Sequence, residues 1–199
     1  QIVKLEKQKS LITNKGMAIL SMPNSSRYFI SVGASAGGVE ALQVFFEHVV
    51  KDGRSSYIVI QHLSPDYDSI MASLIAKVTD LAVTNAEDGM IIEPDTIYLI
   101  PPGKSMMVGE GRLIVSDQFP SREPRFPIDV FFRSLAEDMQ NQAVGVILSG
   151  TGTDGSRGIL SIKEVGGLVL VQSPEEAKFD GMPNSAIQSG CADVVCNVA

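Results

Sequence analysis

The apolar run Tyr28-Phe29-Ile30-Ser31-Val32 passes through Gly33-Ala34-Ser35-Ala36-Gly37-Gly38 into residues spaced as on one face of a helix, Val39, Leu42, Phe45, Phe46 and Val49. Lys51-Asp52-Gly53 is a stop signal, and a second apolar run, Tyr57-Ile58-Val59-Ile60, follows. A strand, a helix and a strand in that order form a crossover, so the two strands are parallel neighbours or near neighbours. The alternation continues along the chain. Helices are expected at 38–50, 69–79 and 128–139, at a stretch ending at Gly166-Gly167, and around 184–188. Strands are expected at 28–32, 56–61, 81–85, 96–100, 143–148, 168–172 and 192–196. Residues 105–108 and 112–115 flank Gly109-Glu110-Gly111 and read as a hairpin. This is the pattern of an α/β fold, a doubly wound, mainly parallel sheet in a Rossmann-like three-layer α/β/α arrangement with one small antiparallel hairpin.

At 199 residues, with 44% hydrophobic residues, the chain can build one core without staples. Residues 1–26 show weak periodicity and end in Ser21-Met22-Pro23-Asn24-Ser25-Ser26, so they read as a tail or linker, with the domain at 27–199. No apolar stretch approaches the roughly 20 residues that cross a bilayer, and no signal-type region opens the chain. A cytoplasmic protein with no direct membrane insertion is expected. The net charge of −7 argues against nucleic-acid binding, which needs a basic surface to neutralise phosphates. Lys4, Lys7, Lys9 and Lys15 are most simply solvated tail residues. Cys191 and Cys196 are expected on opposite faces of one strand, which suits neither a disulfide nor a zinc site.

Ser35 falls on the sharp strand-to-helix turn, the position of a nucleophile elbow. A Gly-rich phosphate loop or a plain tight turn are the other readings of the same glycines. Of the two histidines, His62 follows the second strand directly. It therefore lies with Ser35 at the carboxyl edge of the sheet, where open α/β sheets place their sites. A histidine capping a strand end is the alternative. His48 falls near the end of the first helix, carried about 18 Å toward the opposite edge, and reads as a helix-surface or boundary residue. A third carboxyl-end loop, Ser149-Gly150-Thr151-Gly152-Thr153-Asp154-Gly155, brings in Asp154, a carboxylate able to orient an imidazole from another strand. That loop could instead hold phosphate on its N–H groups, but an acid within it would repel the anion. Asp66 and Asp68 are nearer His62 in sequence and read as the cap region of the next helix.

Two nucleotide-site readings are weaker. Gly103-Lys104-Ser105 resembles the end of a Walker A loop, but Tyr98 stands where the upstream glycine belongs, and a hairpin follows instead of a helix. The 33–38 loop lacks the G-x-G of a dinucleotide fingerprint, and His62 ends the second strand where a ribose-binding acid is expected.

Ser35, His62 and Asp154, each on its own loop, resemble the catalytic triad of the bacterial chemotaxis receptor methylesterases, the CheB-type family. The motifs that carry the likeness are Gly33-Ala34-Ser35-Ala36-Gly37-Gly38, Gln61-His62-Leu63, Leu148 to Gly155, and Gly181-Met182-Pro183. The resemblance covers nearly everything from Arg27 onward. It implies a hydrolase that removes methyl groups from γ-glutamyl methyl esters on the cytoplasmic region of chemoreceptors, and in some members deamidates glutamine. Ser35 would be the nucleophile, His62 the general base and then acid, and Asp154 the residue orienting His62. Backbone N–H groups of Ala36 and Thr151 would form the oxyanion hole; the family often has methionine where Thr151 stands. No metal or organic cofactor is implied, since ester hydrolysis needs an activated hydroxyl and oxyanion stabilisation. The usual N-terminal receiver domain cannot be encoded by 26 residues. Glu87-Asp88-Gly89-Met90, Pro127 to Arg133 and Lys178 to Pro183 look more like the branch fused to a receptor methyltransferase domain, which would make this chain part of a larger signalling protein. A non-catalytic signalling module of the same fold is the reading from a different class.

Overall fold

The computed structural model describes residues 27–61, 68–117 and 126–198. Chain order is β1 (Tyr28–Ala34), α1 (Gly38–Glu47), β2 (Ser55–Gln61), α2 (Asp68–Ala76), β3 (Ala82–Asn85), β4 (Thr96–Leu99), the hairpin strands β5 (Ser105–Gly109) and β6 (Arg112–Ser116), α3 (Pro127–Met139), β7 (Ala143–Ile147), α4 (Gly158–Glu164), β8 (Leu168–Gln172), α5 (Gly181–Gln188) and β9 (Val194–Cys196). Seven strands form one sheet in the order β3-β4-β2-β1-β7-β8-β9, and each neighbouring pair is parallel. β5 and β6 pair antiparallel as a separate ribbon.

Alternation along the strands divides the core into two layers. Tyr57 and Val59 of β2 face one way and pack with Leu42, Phe45 and Phe46 of α1 and Met71 and Ile75 of α2. Ile58 and Ile60 face the other way, toward Phe131, Phe132 and Leu135 of α3, Ile159 and Ile162 of α4, Met182 of α5, and the hairpin residues Met106 and Leu113. Both faces of β2 are therefore covered, and all seven of its residues are buried, as a central parallel strand requires.

Several expected boundaries shift for local reasons. α1 ends at Glu47, so His48 is its C-cap and the Lys51-Asp52-Gly53 stop comes after the helix is over. The Asp52 carboxylate instead accepts from the N–H groups of Arg54 and Ser55 at the entry to β2. α5 starts at Gly181, ahead of the expected 184, and takes Pro183 into its first turn, where a missing N–H costs nothing. Cys191 and Cys196 do not share a strand: β9 begins at Val194, leaving Cys191 buried in the loop after α5 and Cys196 exposed. The Pro-containing stretch from Phe119 to Pro127, which reads from its sequence as a long surface loop, lies largely outside the described residues.

Strands added after β2 go to one side of β1, and β7, β8 and β9 go to the other. The strand order thus reverses between β1 and β7. A crevice outside the carboxyl ends of those two strands is where this architecture holds ligands.

Candidate active site

Ser35 is the first residue after β1, and the elbow is built from its own hydrogen bonds. The Gly38 N–H donates to the Ser35 carbonyl at 2.9 Å, closing the turn into α1. Gly37 adopts φ 69°, a left-handed conformation natural to glycine. A Cβ at Gly37 would lie 2.9 Å from Ser149 Oγ and 3.0 Å from Phe179 Cδ2, so the turn has neither the backbone freedom nor the room for a side chain. Behind the elbow, a Cβ at Gly38 would meet Gln61 Nε2 at 3.2 Å; the Gln61 amide donates to the Ser35 carbonyl at 3.4 Å.

The loop after β7 lies directly against this turn. The Ser35 N–H donates to the Ser149 carbonyl at 3.0 Å. At Gly150 the approach is closest, since a Cβ there would sit 3.0 Å from the Ser35 Cβ and 2.1 Å from Met182 Sδ. Gly150 is therefore the gap through which the β7 loop and α5 reach the serine. Thr151, on the same loop, is exposed. Among the described residues, neither the Ala36 N–H nor the Thr151 N–H donates a hydrogen bond within the chain.

Asp154 is buried, 8% exposed, and sits at the N-terminus of α3. Its carboxylate accepts from the N–H groups of Ile128 at 3.2 Å, Asp129 at 3.0 Å and Gly155 at 2.9 Å. Burial pushes its carboxyl up to about 6, against the pull of those N–H groups, and the neighbouring Asp129 carboxylate pushes the same way. Asp129 occupies the mirror position. Its carboxylate accepts from the N–H groups of Arg157 at 3.0 Å and Gly158 at 2.7 Å at the start of α4, and burial raises its carboxyl as well. Asp154 thus satisfies the first N–H groups of α3, and Asp129 those at the start of α4, where free donors and the positive end of the dipole favour an anion. Ile128 joins this pair to the elbow: a Cβ at Gly33 would lie 2.6 Å from its Cγ2.

Of the sequence-predicted residues, Ser35, Ala36, Thr151 and Asp154 fall on the adjoining loops after β1 and β7. His62 lies outside the described residues; β1 and β2 pair in the register Ala34↔Gln61, which are the residues covalently preceding Ser35 and His62. Asp66 also lies outside them, and α2 begins at Asp68. His48 is exposed, with Nδ1 2.8 Å from the Val44 carbonyl of its own helix. Sequence reasoning missed Ser149, Gln61 and Asp129 as parts of the site. Asp129 in the first turn of a helix that opens on proline is a capping signal that could have pointed to it. The partners of Ser149 lie 113 and 30 residues away, beyond any local pattern.

The fold is a three-layer α/β/α doubly wound domain with Ser35 on a tight strand-to-helix turn at its topological switch point. The CheB methylesterase family model matches residues 30–199, and the chain belongs to that family. It is 34% identical over 184 residues to the protein-glutamate methylesterase/protein-glutamine glutaminase 2 of Xanthomonas oryzae pv. oryzae, covering 87% of this chain and 51% of that one. It is 45% identical over 123 residues to a 104.1 kDa protein of Rhodobacter capsulatus, covering 62% of this chain and 13% of that one. The crystal structure of the Thermotoga maritima CheB methylesterase catalytic domain superposes with a TM-score of 0.79 at 27% identity, over 87% of this chain and 94% of that one. The chain thus spans about half the length of its Xanthomonas relative.

Proposed function

We propose that this chain is a serine hydrolase that demethylates γ-glutamyl methyl esters on the cytoplasmic region of chemoreceptors and deamidates glutamine at such sites. Residues 27–199 are the catalytic unit and 1–26 a tail or linker. Ser35 Oγ attacks the ester carbonyl carbon while His62 takes its proton, and the N–H groups of Ala36 and Thr151 receive the developing oxyanion. Collapse of the tetrahedral intermediate expels methoxide, which leaves as methanol with the proton from His62. Water, activated by the same imidazole, then cleaves the acyl-serine and frees the glutamate carboxylate. Asp154 orients His62 and stabilises its cationic form.

The observation that carries this reading is the elbow itself: Ser35 stands at the switch point, hydrogen-bonded to the loop that leads to Asp154. The relatives' names support the substrate class. A cytoplasmic location follows from where such substrates lie. Among the described residues no helix is long and apolar enough to cross a membrane. We also propose that the unit works inside a longer signalling protein, ahead of a receptor methyltransferase domain; its small share of the Rhodobacter relative supports the longer chain.

Turnover of a small chromogenic ester against pH tests the mechanism. kcat/KM should rise with pH across about 6 to 7.5, as the Asp154 carboxyl, raised to about 6, ionises and the imidazole becomes able to accept the serine proton. A profile flat from about pH 5 to 9 would contradict a histidine base.

A further inference from the structure

We propose that Ser149 is a positioning residue that sets the spacing between the two oxyanion donors, an inference that rests on the hydrolase reading above. Ser149 is 1% exposed and uses every polar atom it has. Its carbonyl accepts from the Ser35 N–H at 3.0 Å. Its Oγ donates to the Ala36 carbonyl at 2.9 Å and accepts from the Phe179 N–H at 3.0 Å. Its own N–H donates to Gln172 Oε1 at 2.8 Å, which anchors it to the end of β8.

The consequence for the elbow follows from peptide planarity. The Ser35 carbonyl is held by the N–H of Gly38 and the amide of Gln61, so the Ala36 N–H across that trans peptide points the opposite way. On the other side of the Ala36 Cα, the carbonyl is held by Ser149 Oγ. Both peptide units flanking Ala36 are tied, the second by a single hydroxyl. That hydroxyl stands two residues before Thr151 in the chain, so it fixes one donor-bearing loop against the other. It also holds the 178–180 segment by accepting from the Phe179 N–H at 3.0 Å, beside the bond that the Gly150 N–H donates to the Phe179 carbonyl at 3.0 Å. Donors aimed at the oxyanion act only when they are placed before the reaction, and Ser149 does that placing without touching the substrate.

The test compares Ser149→Ala with Ser134→Ala in the full 199-residue chain. Ser134 is a matched control, a buried hydroxyl that donates to the Phe131 carbonyl at 2.9 Å and accepts from the Val108 N–H at 3.1 Å, against the hairpin and away from the site. Steady-state kinetics on a chromogenic ester are read below both melting temperatures, together with inhibition by phenylboronic acid, which forms a tetrahedral adduct on a reactive serine. Ser149→Ala should lose about ten- to a hundredfold in kcat, part of what deleting an oxyanion donor outright costs. KM should stay within about twofold, and boronate affinity should fall in step with kcat/KM. Ser134→Ala should lose melting temperature and keep its kcat. Wild-type kcat in Ser149→Ala, a change in KM alone, or an equal kcat loss in Ser134→Ala would overturn the inference while leaving the hydrolase reading intact. A wild-type chain with no Ser35-dependent turnover would overturn both.

Discussion

At Asp154 the stability of the fold and the proposed chemistry favour opposite protonation states. Asp154 is buried with three N–H donors on its carboxylate, yet its carboxyl is raised to about 6. Its unfolded value is about 3.9, so between these the native state binds the extra proton. The stabilising contribution of this group is therefore fully present below about pH 4 and is lost as pH rises through about 6, on the order of 3 kcal/mol in all. Asp129, raised by burial too, acts in the same direction. Urea unfolding of wild type and Asp154→Asn across this range checks the sign: wild type should lose stability relative to the variant as pH rises, and a pH-independent difference would refute the raised carboxyl. At neutral pH the same variant should lose about a thousandfold or more in kcat, because an amide cannot stabilise the imidazolium.

At the scale of elements, the site depends on missing side chains as much as on present ones. Gly150→Ala should place a methyl against the Met182 side chain, which is 1% exposed, and against the Ser35 Cβ. Overpacking of this kind costs about 1–3 kcal/mol, so melting temperature should fall together with kcat. A variant with wild-type values of both would show that the loop and α5 are not held as close as described. Such closeness is invisible in a sequence, where Gly150 is one glycine in a glycine-rich loop. The elements themselves were far more legible, because apolar runs and helical spacing are local signals. The hairpin is a clear case: Glu110 and Gly111 take positive φ, as its Gly-rich turn suggested, and Asp138 of α3 accepts from both their N–H groups. What local spacing did not convey was strand order, for β4 inserts between β2 and β3, and the long-range partners of Ser149 and Asp129. α1 ended before Val49 although that residue kept the helical spacing; Val49 packs against the core from the turn after the helix.

For the whole molecule, the described residues from β1 onward assemble a core on both faces of the sheet, and the proposed boundary at residue 27 is tested by truncation. A version starting at Arg27 should keep its melting temperature and its kcat on a chromogenic ester. Loss of either would make the N-terminal segment part of the catalytic unit. The placement of Ser35 and Asp154 was readable in advance because a parallel sheet sends its loops to predictable edges; the family match over 30–199 extends through both loops. The most direct test of the central claim is methanol release from a receptor fragment bearing γ-glutamyl methyl esters, measured with the wild-type chain and with Ser35→Ala. Wild type should release methanol in proportion to the glutamate formed, and Ser35→Ala should retain less than about a thousandth of that rate while staying folded. Methanol release that survives the loss of the Ser35 hydroxyl, or none from the folded wild-type chain, would contradict the account.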